Sequence, residues 1–395
     1  MDIERISQIE KDYVIEVLST SFRGSKYVGM VGAAEKAFSN LIDCEYSIGF
    51  VNGTSTLHAA LETLGVGIGD EVIIPPLTMS ATMFAVLQAN ATPVFADIDS
   101  ETFQISAESI KAKITNRTKA VITVALFGGS PEYKDIMKVC GNIPIIEDNA
   151  EAVGTTYHGR SLGTFGSFSS YSFQSSKHLT SGEGGMLCTN DFDLADRVRK
   201  IQSLGYAAVG ASSNKINKVD IQNPDYSRHV SLGWNYRMTE LVGAVVRGQI
   251  ERSKELIDRR KHVASEIINL IDKCSWLTPQ KNPENSENSF WSAAILLQSE
   301  NISWQEFRDK FMSFGGKGIY AAWKLGYLEP AIQNRNLLGR ERLIERSRLE
   351  EYRIGLCPVA ERIQPRILSF RTNEWSDAGL NDQLQALRKT IDFFD

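Results

Sequence analysis

A-V-I-T-V-A-L-F-G-G-S-P-E-Y-K-D-I-M-K-V-C-G-N-I-P-I-I-E-D-N-A-E, residues 120–151, decides the fold class. Its largely apolar run at 120–126 is short, as a strand buried on both faces is; 133–139 follows as a helix and 143–146 as a second buried strand. A helix joining two such strands makes a crossover unit with parallel strands. The same alternation runs back towards the N-terminus. Strands are expected at 72–74 and 93–96, helices at 80–88 and 107–114, so the expected class is α/β with a mostly parallel sheet covered on both faces. In such sheets ligands bind beyond the carboxyl ends of the strands. The I-I-E-D-N-A-E-A run therefore puts Asp148, with Glu147 or Glu151, at that edge, although an acid there would equally cap the next helix.

Outward on the C-terminal side, residues 169–185 read S-S-Y-S-F-Q-S-S-K-H-L-T-S-G-E-G-G. The aromatic–serine alternation before Lys177 and the M-L-C-T after the glycines read as strands, which leaves Lys177 on the loop between them. Near the interior its amine would be partly desolvated and could attack a carbonyl to form a Schiff base. A lysine closing an edge strand would leave the same trace. On the N-terminal side, 46–51 reads as a strand and 56–64 as a helix, joined by N-G-T-S. Glycine permits the tight turn, and the hydroxyls of Thr54 and Ser55 beside free helix N–H groups suit a phosphate, or cap the helix unaided.

The outer segments are plainer. Residues 1–20 carry Ile3, Ile6, Ile9, Val14, Ile15 and Leu18 on helical spacings. The glycines of 22–32 do not match a dinucleotide loop, since no strand precedes them and the spacing is wrong. A helix is expected at 191–204, then a polar loop at 205–228, either functional or a flexible excursion. From L-G-W-N-Y-R-M-T-E-L onward a long amphipathic helix is expected to 271, with Leu256, Val263, Ile267 and Ile271 inward and Arg259, Arg260 and Lys261 solvated. The remainder, with strands near 290–297 and 367 and helices at 304–314 and 380–394, reads as a smaller α+β domain. We expect the boundary near residue 250, giving domains 1–250 and 251–395.

Composition narrows the function. The chain has 395 residues, 42% hydrophobic and 23% charged, and a net charge of −5, so no basic excess exists to bind nucleic acid by neutralising phosphates. Its five cysteines, Cys44, Cys140, Cys188, Cys274 and Cys357, form no C-x-x-C pair, so neither a disulfide framework nor a metal site is expected. With no apolar run near 18 residues and no signal core, the reading is a cytoplasmic protein without membrane association.

Phosphate cradle, acid and lysine together match the three needs of pyridoxal phosphate: donors for its phosphate, a carboxylate for its ring nitrogen and an amine for its aldehyde. S-F-Q-S-S-K-H-L-T-S-G-E-G-G, I-I-E-D-N-A-E-A, P-V-F-A-D-I-D, N-G-T-S-T-L-H-A-A-L and L-G-W-N-Y-R-M, in that company, resemble the motifs of the DegT/DnrJ/StrS sugar aminotransferases, from about residue 30 to 250 and more thinly beyond. The resemblance implies a fold-type I pyridoxal-phosphate transferase with a mostly parallel seven-stranded sheet in the large domain, and a homodimer whose active sites are shared between subunits. It implies that Lys177 is the Schiff-base lysine and proton shuttle and that Asp148 pairs with the ring nitrogen. Thr54, Ser55 and Ser172 would hold the phosphate, with Asn235 reaching it from the partner subunit. Glu151 stands near the ring where the family often has glutamine, and Met79 where it usually has a stacking aromatic. A lysine at 177 rather than the histidine of the family's dehydratases implies transamination, and His178 beside it is expected to be a packing residue. Glutamate or glutamine would donate the amino group to a keto-sugar for cell-surface polysaccharide. Met79 and the C-terminal C-P-V-A-E-R-I-Q-P-R-I-L-S-F-R-T-N resemble the subgroup making 8-amino-3,8-dideoxy-octulosonate for lipopolysaccharide; the alternatives are a nucleotide-linked keto-deoxysugar of the perosamine type, or a non-catalytic regulatory member.

Overall fold

The computed structural model describes residues 2–20, 22, 29–212, 219, 222–344 and 346–395. The centre of the 205–228 loop and most of the 22–32 segment thus lie outside the described residues. Seven strands form the central sheet: β1 (Tyr46–Phe50), β2 (Glu71–Ile74), β3 (Thr92–Phe95), β4 (Thr118–Val124), β5 (Ile145–Asp148), β6 (Phe168–Ser172) and β7 (Gly185–Thr189), in the order β1-β7-β6-β5-β4-β2-β3. Only β7 runs against the rest.

Helices cover both faces, which is why the runs at 72–74 and 120–122 are apolar at successive positions. The large-domain helices are α1 (Gln8–Ser19), α2 (Met30–Ile42), α3 (Gly53–Thr63), α4 (Ala81–Gln88), α5 (Ala107–Lys113), α6 (Tyr133–Cys140), α7 (Phe192–Gln202), α8 (Glu240–Glu251) and α9 (Ser253–Ile271). Strand side chains alternate between covers. Ile74, Ile122 and Ile146 pack with Leu57 and Leu61 of α3 and Val86 of α4, while Ile73, Val121 and Ile145 pack with Ile110 of α5 and Ile136 of α6.

A second, antiparallel sheet of β8 (Leu277–Pro279), β9 (Ser292–Leu297), β10 (Ile319–Ala321) and β11 (Ile367–Arg371) has the order β8-β9-β11-β10. Val263 and Ile267 of α9, Phe307 and Phe311 of α10 (Trp304–Ser313), and Leu380 and Leu387 of α11 (Asp377–Phe394) cover one of its faces. Between β10 and β11 the chain returns to the large sheet, where Tyr327 and Tyr352 each set a ring 5.3 Å from that of Phe95 on β3.

Three local expectations are corrected. The W-N-Y-R segment is not the start of a helix: Asn235 bridges Ser203 and Arg237 bridges Phe50, and α8 starts only after Thr239 caps it. The long helix to 271 is two helices meeting at Arg252. Finally, Arg259 and Arg260 are not solvated but 4% and 1% exposed. Residue 260 lies four beyond Leu256 and three before Val263, on the same helical stripe as the apolar residues, so the period buries it despite its charge.

Candidate active site

The carboxyl ends of the parallel strands open on a cavity of about 640 Å³ lined by Thr54, Met79, Asp148, Glu151, Ser172 and Lys177. Ser55 sits behind this wall. Its hydroxyl donates to the Asn52 carbonyl at 2.7 Å, and its N–H is capped by the Asn52 side chain at 2.8 Å. Asn52, not Thr54 or Ser55, is therefore the helix cap, and α3 begins at Gly53, earlier than expected. Thr54 is left in the first turn, on the cavity wall. Asn235 is exposed and is not part of this chain's cavity wall.

Asp148 ends β5, buried, accepting from the Thr82 hydroxyl at 2.9 Å and the Ala150 N–H at 3.3 Å. Burial pushes its carboxyl up to about 6, against those two hydrogen bonds, which favour the charged form. Glu147, one residue earlier, points to the opposite face, as strand alternation demands. It accepts the N–H groups of Gly163, Phe165 and Gly166 at 2.6–2.7 Å and serves that turn, leaving Glu151 as the second acid at the site.

Lys177 lies on the β6–β7 loop with its Nζ 2.9 Å from Glu151 Oε1 and 4.6 Å from the centre of the Trp291 ring. Glu151 Oε2 accepts the Phe127 N–H at 3.0 Å. Phe127, Trp291 and Trp323 are mutually stacked, with ring centres 5.6–6.5 Å apart. The loop is held from below by two arginines: Arg5 donates to the Lys177 and His178 carbonyls, Arg260 to those of Ser176 and Lys177 at 2.7 and 3.0 Å. His178 is buried, bonded to the Ser289 carbonyl at 3.1 Å, and burial beside Arg260 holds its imidazole neutral, so it packs rather than reacts. Met79 is half exposed, its sulfur accepting the Ala81 N–H at 3.0 Å at the start of α4.

Sequence reading missed Trp291, Trp323 and Arg260. The tryptophans carry no local motif and reach the cavity only through the packing of the second sheet on the first. Arg260 did carry a signal, its place on the apolar stripe of α9.

The residues present fit pyridoxal phosphate. A Cβ on Gly53 would come 3.0 Å from the Ser172 Cβ, tighter than ordinary contact, so a larger residue there would push α3 and β6 apart by a few tenths of an ångström. There the N–H groups of an eleven-residue helix and the hydroxyls of Thr54 and Ser172 offer donors to a phosphate. A buried carboxylate and a lysine amine face the same space.

Comparison with known proteins agrees. The DegT/DnrJ/EryC1/StrS aminotransferase family matches residues 5–342. The GDP-perosamine synthase of Escherichia coli O157:H7 is 36% identical over 292 residues, 73% of this chain and 75% of that protein. That of Vibrio cholerae is 32% identical over 77% of this chain and 78% of its own. The crystal structure of an aminotransferase from Psychrobacter cryohalolentis superposes with a TM-score of 0.83 at 30% identity, covering 96% of each chain. The match spans both sheet edges that build the cavity, and the chain therefore belongs to the DegT/DnrJ/EryC1/StrS family as a pyridoxal-phosphate-dependent aminotransferase.

Proposed function

We propose that this enzyme moves an amino group from glutamate or glutamine to the keto carbon of a nucleotide-linked keto-deoxysugar of the perosamine type. The carrying observation is the Lys177–Glu151 pair, 2.9 Å apart, at the same strand edge as the buried Asp148. Bound at this edge, pyridoxal phosphate supplies an electron sink for the carbon that exchanges its proton. Lys177 is the group placed to carry that proton, because its Nζ reaches into the cavity from a loop pinned by Arg5 and Arg260. Glu151 orients the Lys177 amine, and Asp148 would supply the negative charge that keeps the cofactor's ring nitrogen protonated. Thr54, Ser55 and Ser172 serve the phosphate, directly or by fixing the first turn of α3, and Asn235 does so from the partner subunit of a homodimer. Trp291, Trp323 and Met79 add apolar surface to the cavity wall.

The choice of a nucleotide-linked acceptor rests on the two perosamine synthases described above. Neither they nor the Psychrobacter enzyme supports the octulosonate acceptor that Met79 and the C-terminal segment suggest. A panel of keto-sugars, GDP-4-keto-6-deoxymannose and 8-oxo-octulosonate among them, incubated with glutamate or glutamine and read by mass spectrometry, tests this. Amination of the nucleotide-linked sugar, lost in Lys177→Ala, is the expected result. Amination of the octulosonate alone would overturn the acceptor, and an unaltered panel would return the chain to a regulatory role.

A further inference from the structure

At the end of β1 remote from the Lys177 cavity, the surface opens into a hollow of about 830 Å³ whose wall includes Ser39, Cys44, Ser47 and Asn190. Asn52, just beyond the other end of β1, lines the Lys177 cavity. The five residues of the strand, about 17 Å of chain, separate the two spaces, so transamination makes no use of the hollow.

What distinguishes this hollow is a pair of thiols. Cys44 follows Asp43, the left-handed residue that ends α2, and its N–H donates to the Ser39 carbonyl at 3.1 Å, which fixes it half-buried in the wall. Its Sγ lies 3.3 Å from Ser47 Oγ and 3.8 Å from Ser39 Oγ. Cys188 faces Ser47 across the β1–β7 pair, and its Sγ lies 3.2 Å from the same Ser47 hydroxyl. Two sulfurs therefore flank one hydroxyl, the first on the cavity wall and the second fully buried.

Their surroundings give them different chemistry. The Cys188 thiol, and then the Ser47 and Ser39 hydroxyls, lower the pKa of Cys44 against its partial burial and the Asp43 charge, whereas burial and then the neighbouring Cys44 raise that of Cys188. A reachable thiolate beside a buried, protonated thiol is the arrangement in which a peroxide oxidises the first sulfur and the second resolves it. The other cysteines lack it: Cys140, Cys274 and Cys357 are buried, and burial raises the pKa of each. We propose that Cys44 and Cys188 form a reversible disulfide site for hydroperoxides, with Cys44 the attacking thiol and Cys188 the resolving one. The Cys44 thiolate attacks one oxygen of hydrogen peroxide, the O–O bond breaks, and the departing hydroxide takes up a proton to leave as water. Cys44 is then a sulfenic acid. Cys188 gives up its proton and attacks that sulfur, the S–O bond breaks, and the second oxygen leaves as water. Two thiols are oxidised to one disulfide while one peroxide is reduced to two waters. Turning the Cys44 side chain from Ser47 towards Cys188 brings the sulfurs to the bonded separation of about 2.05 Å. The bond ties the last turn of α2 to β7 and leaves the Lys177 site, at the far end of the strands, untouched.

The test uses the folded, full-length wild-type enzyme, treated with a small excess of hydrogen peroxide, quenched with an alkylating agent and mapped by mass spectrometry without reduction. Of the five thiols, two should be lost, and the new species should be a peptide pair joined through Cys44 and Cys188. Cys140, Cys274 and Cys357 should still be alkylated, and dithiothreitol should restore all five thiols. In Cys188→Ser the same treatment should leave Cys44 as a sulfenic acid that dimedone captures, and Cys44→Ser should give neither product. Oxidation of Cys44 no faster than that of the three buried cysteines overturns the proposal. So does a wild-type Cys44 that passes to a sulfinic acid without the cross-link, or a cross-link that forms only in urea or only between two chains. Should either variant fail to fold, the wild-type map alone decides between these outcomes.

Discussion

At the scale of the residue, Asp148 shows what the fold invests in the site. A carboxyl group held at about 6 by burial binds its proton more tightly in the folded chain than in the unfolded one, whose aspartates titrate near 3.9. Its effect on stability therefore runs opposite to that of a salt-bridged acid. The folded state is favoured while the group is neutral, and loses that advantage as pH rises from about 4 through about 6, by roughly 3 kcal/mol for a shift of this size. Comparing urea unfolding of the cofactor-free wild type with Asp148→Asn, we expect the stability difference to move by about 2 kcal/mol in favour of the variant between pH 4.5 and 7.5. If the cofactor's ring nitrogen pairs with Asp148 as proposed, the loaded enzyme should show little of this movement, because a cationic ring nitrogen would stabilise the charged carboxylate. A difference independent of pH in the cofactor-free pair would mean that Asp148 is not desolvated and serves only as a cap. Lys177 is tested at the same scale by borohydride reduction of the loaded enzyme and peptide mapping. The label is expected at Lys177, and its appearance on another lysine would remove the central assignment.

At the scale of the element, α9 links the two sheets to the Lys177 loop through one side chain. Replacing Arg260 by methionine keeps the bulk but removes the fork that joins Ser176, Lys177, Trp291 and Thr372. We expect a loss of about 2–4 kcal/mol in chemical unfolding, four bonds to a charged donor set against relief of a buried charge. Lysine should recover less than half of it, since an ammonium cannot reproduce the planar fork. A Met variant as stable as wild type would show the fork to be dispensable to the fold. This helix also marks the limit of what the sequence discloses. Its apolar stripe was legible, as were the strands from 72 to 146, because burial on one face or two leaves a period in the chain. Arg260 was misread because charge was allowed to outweigh that period. Helix α3 was mistimed because Asn52, rather than the hydroxyls after it, supplies the cap. The placement of Lys177 on a loop and of Asp148 at a strand end was legible because strand ends and glycine turns are local features. Trp291 and Trp323 were not, since their approach to Lys177 is made by one sheet packing on another, and no local pattern records it.

At the scale of the whole molecule, the position of Asn235 raises the question of how many chains make one site. Asn235 is exposed, held in extended backbone by its bridge to Ser203, and stands outside the cavity of its own chain. Around it Val230 and Leu232 are 57% and 79% exposed, while Ile15 and Leu18 leave the outer side of α1 apolar, surfaces that a second subunit would cover. If Asn235 serves a neighbouring chain's phosphate, its loss removes about 1–2 kcal/mol of anion binding and weakens cofactor retention without unfolding the protein. Asn235→Ala should therefore be impaired chiefly at limiting cofactor, and Lys177→Ala should be inactive at any concentration. Combining the two in one dimer gives the decisive geometry. With shared sites, both lesions fall in one site and the other is assembled from an intact Lys177 and an intact Asn235, so the purified heterodimer should regain about half the wild-type activity at limiting cofactor. With unshared sites, each chain keeps its own lesion, and the heterodimer shows no wild-type site at all. Its activity would then stay at the mean of the two parents, and Asn235 would belong to the surface of one chain rather than to the chemistry of two.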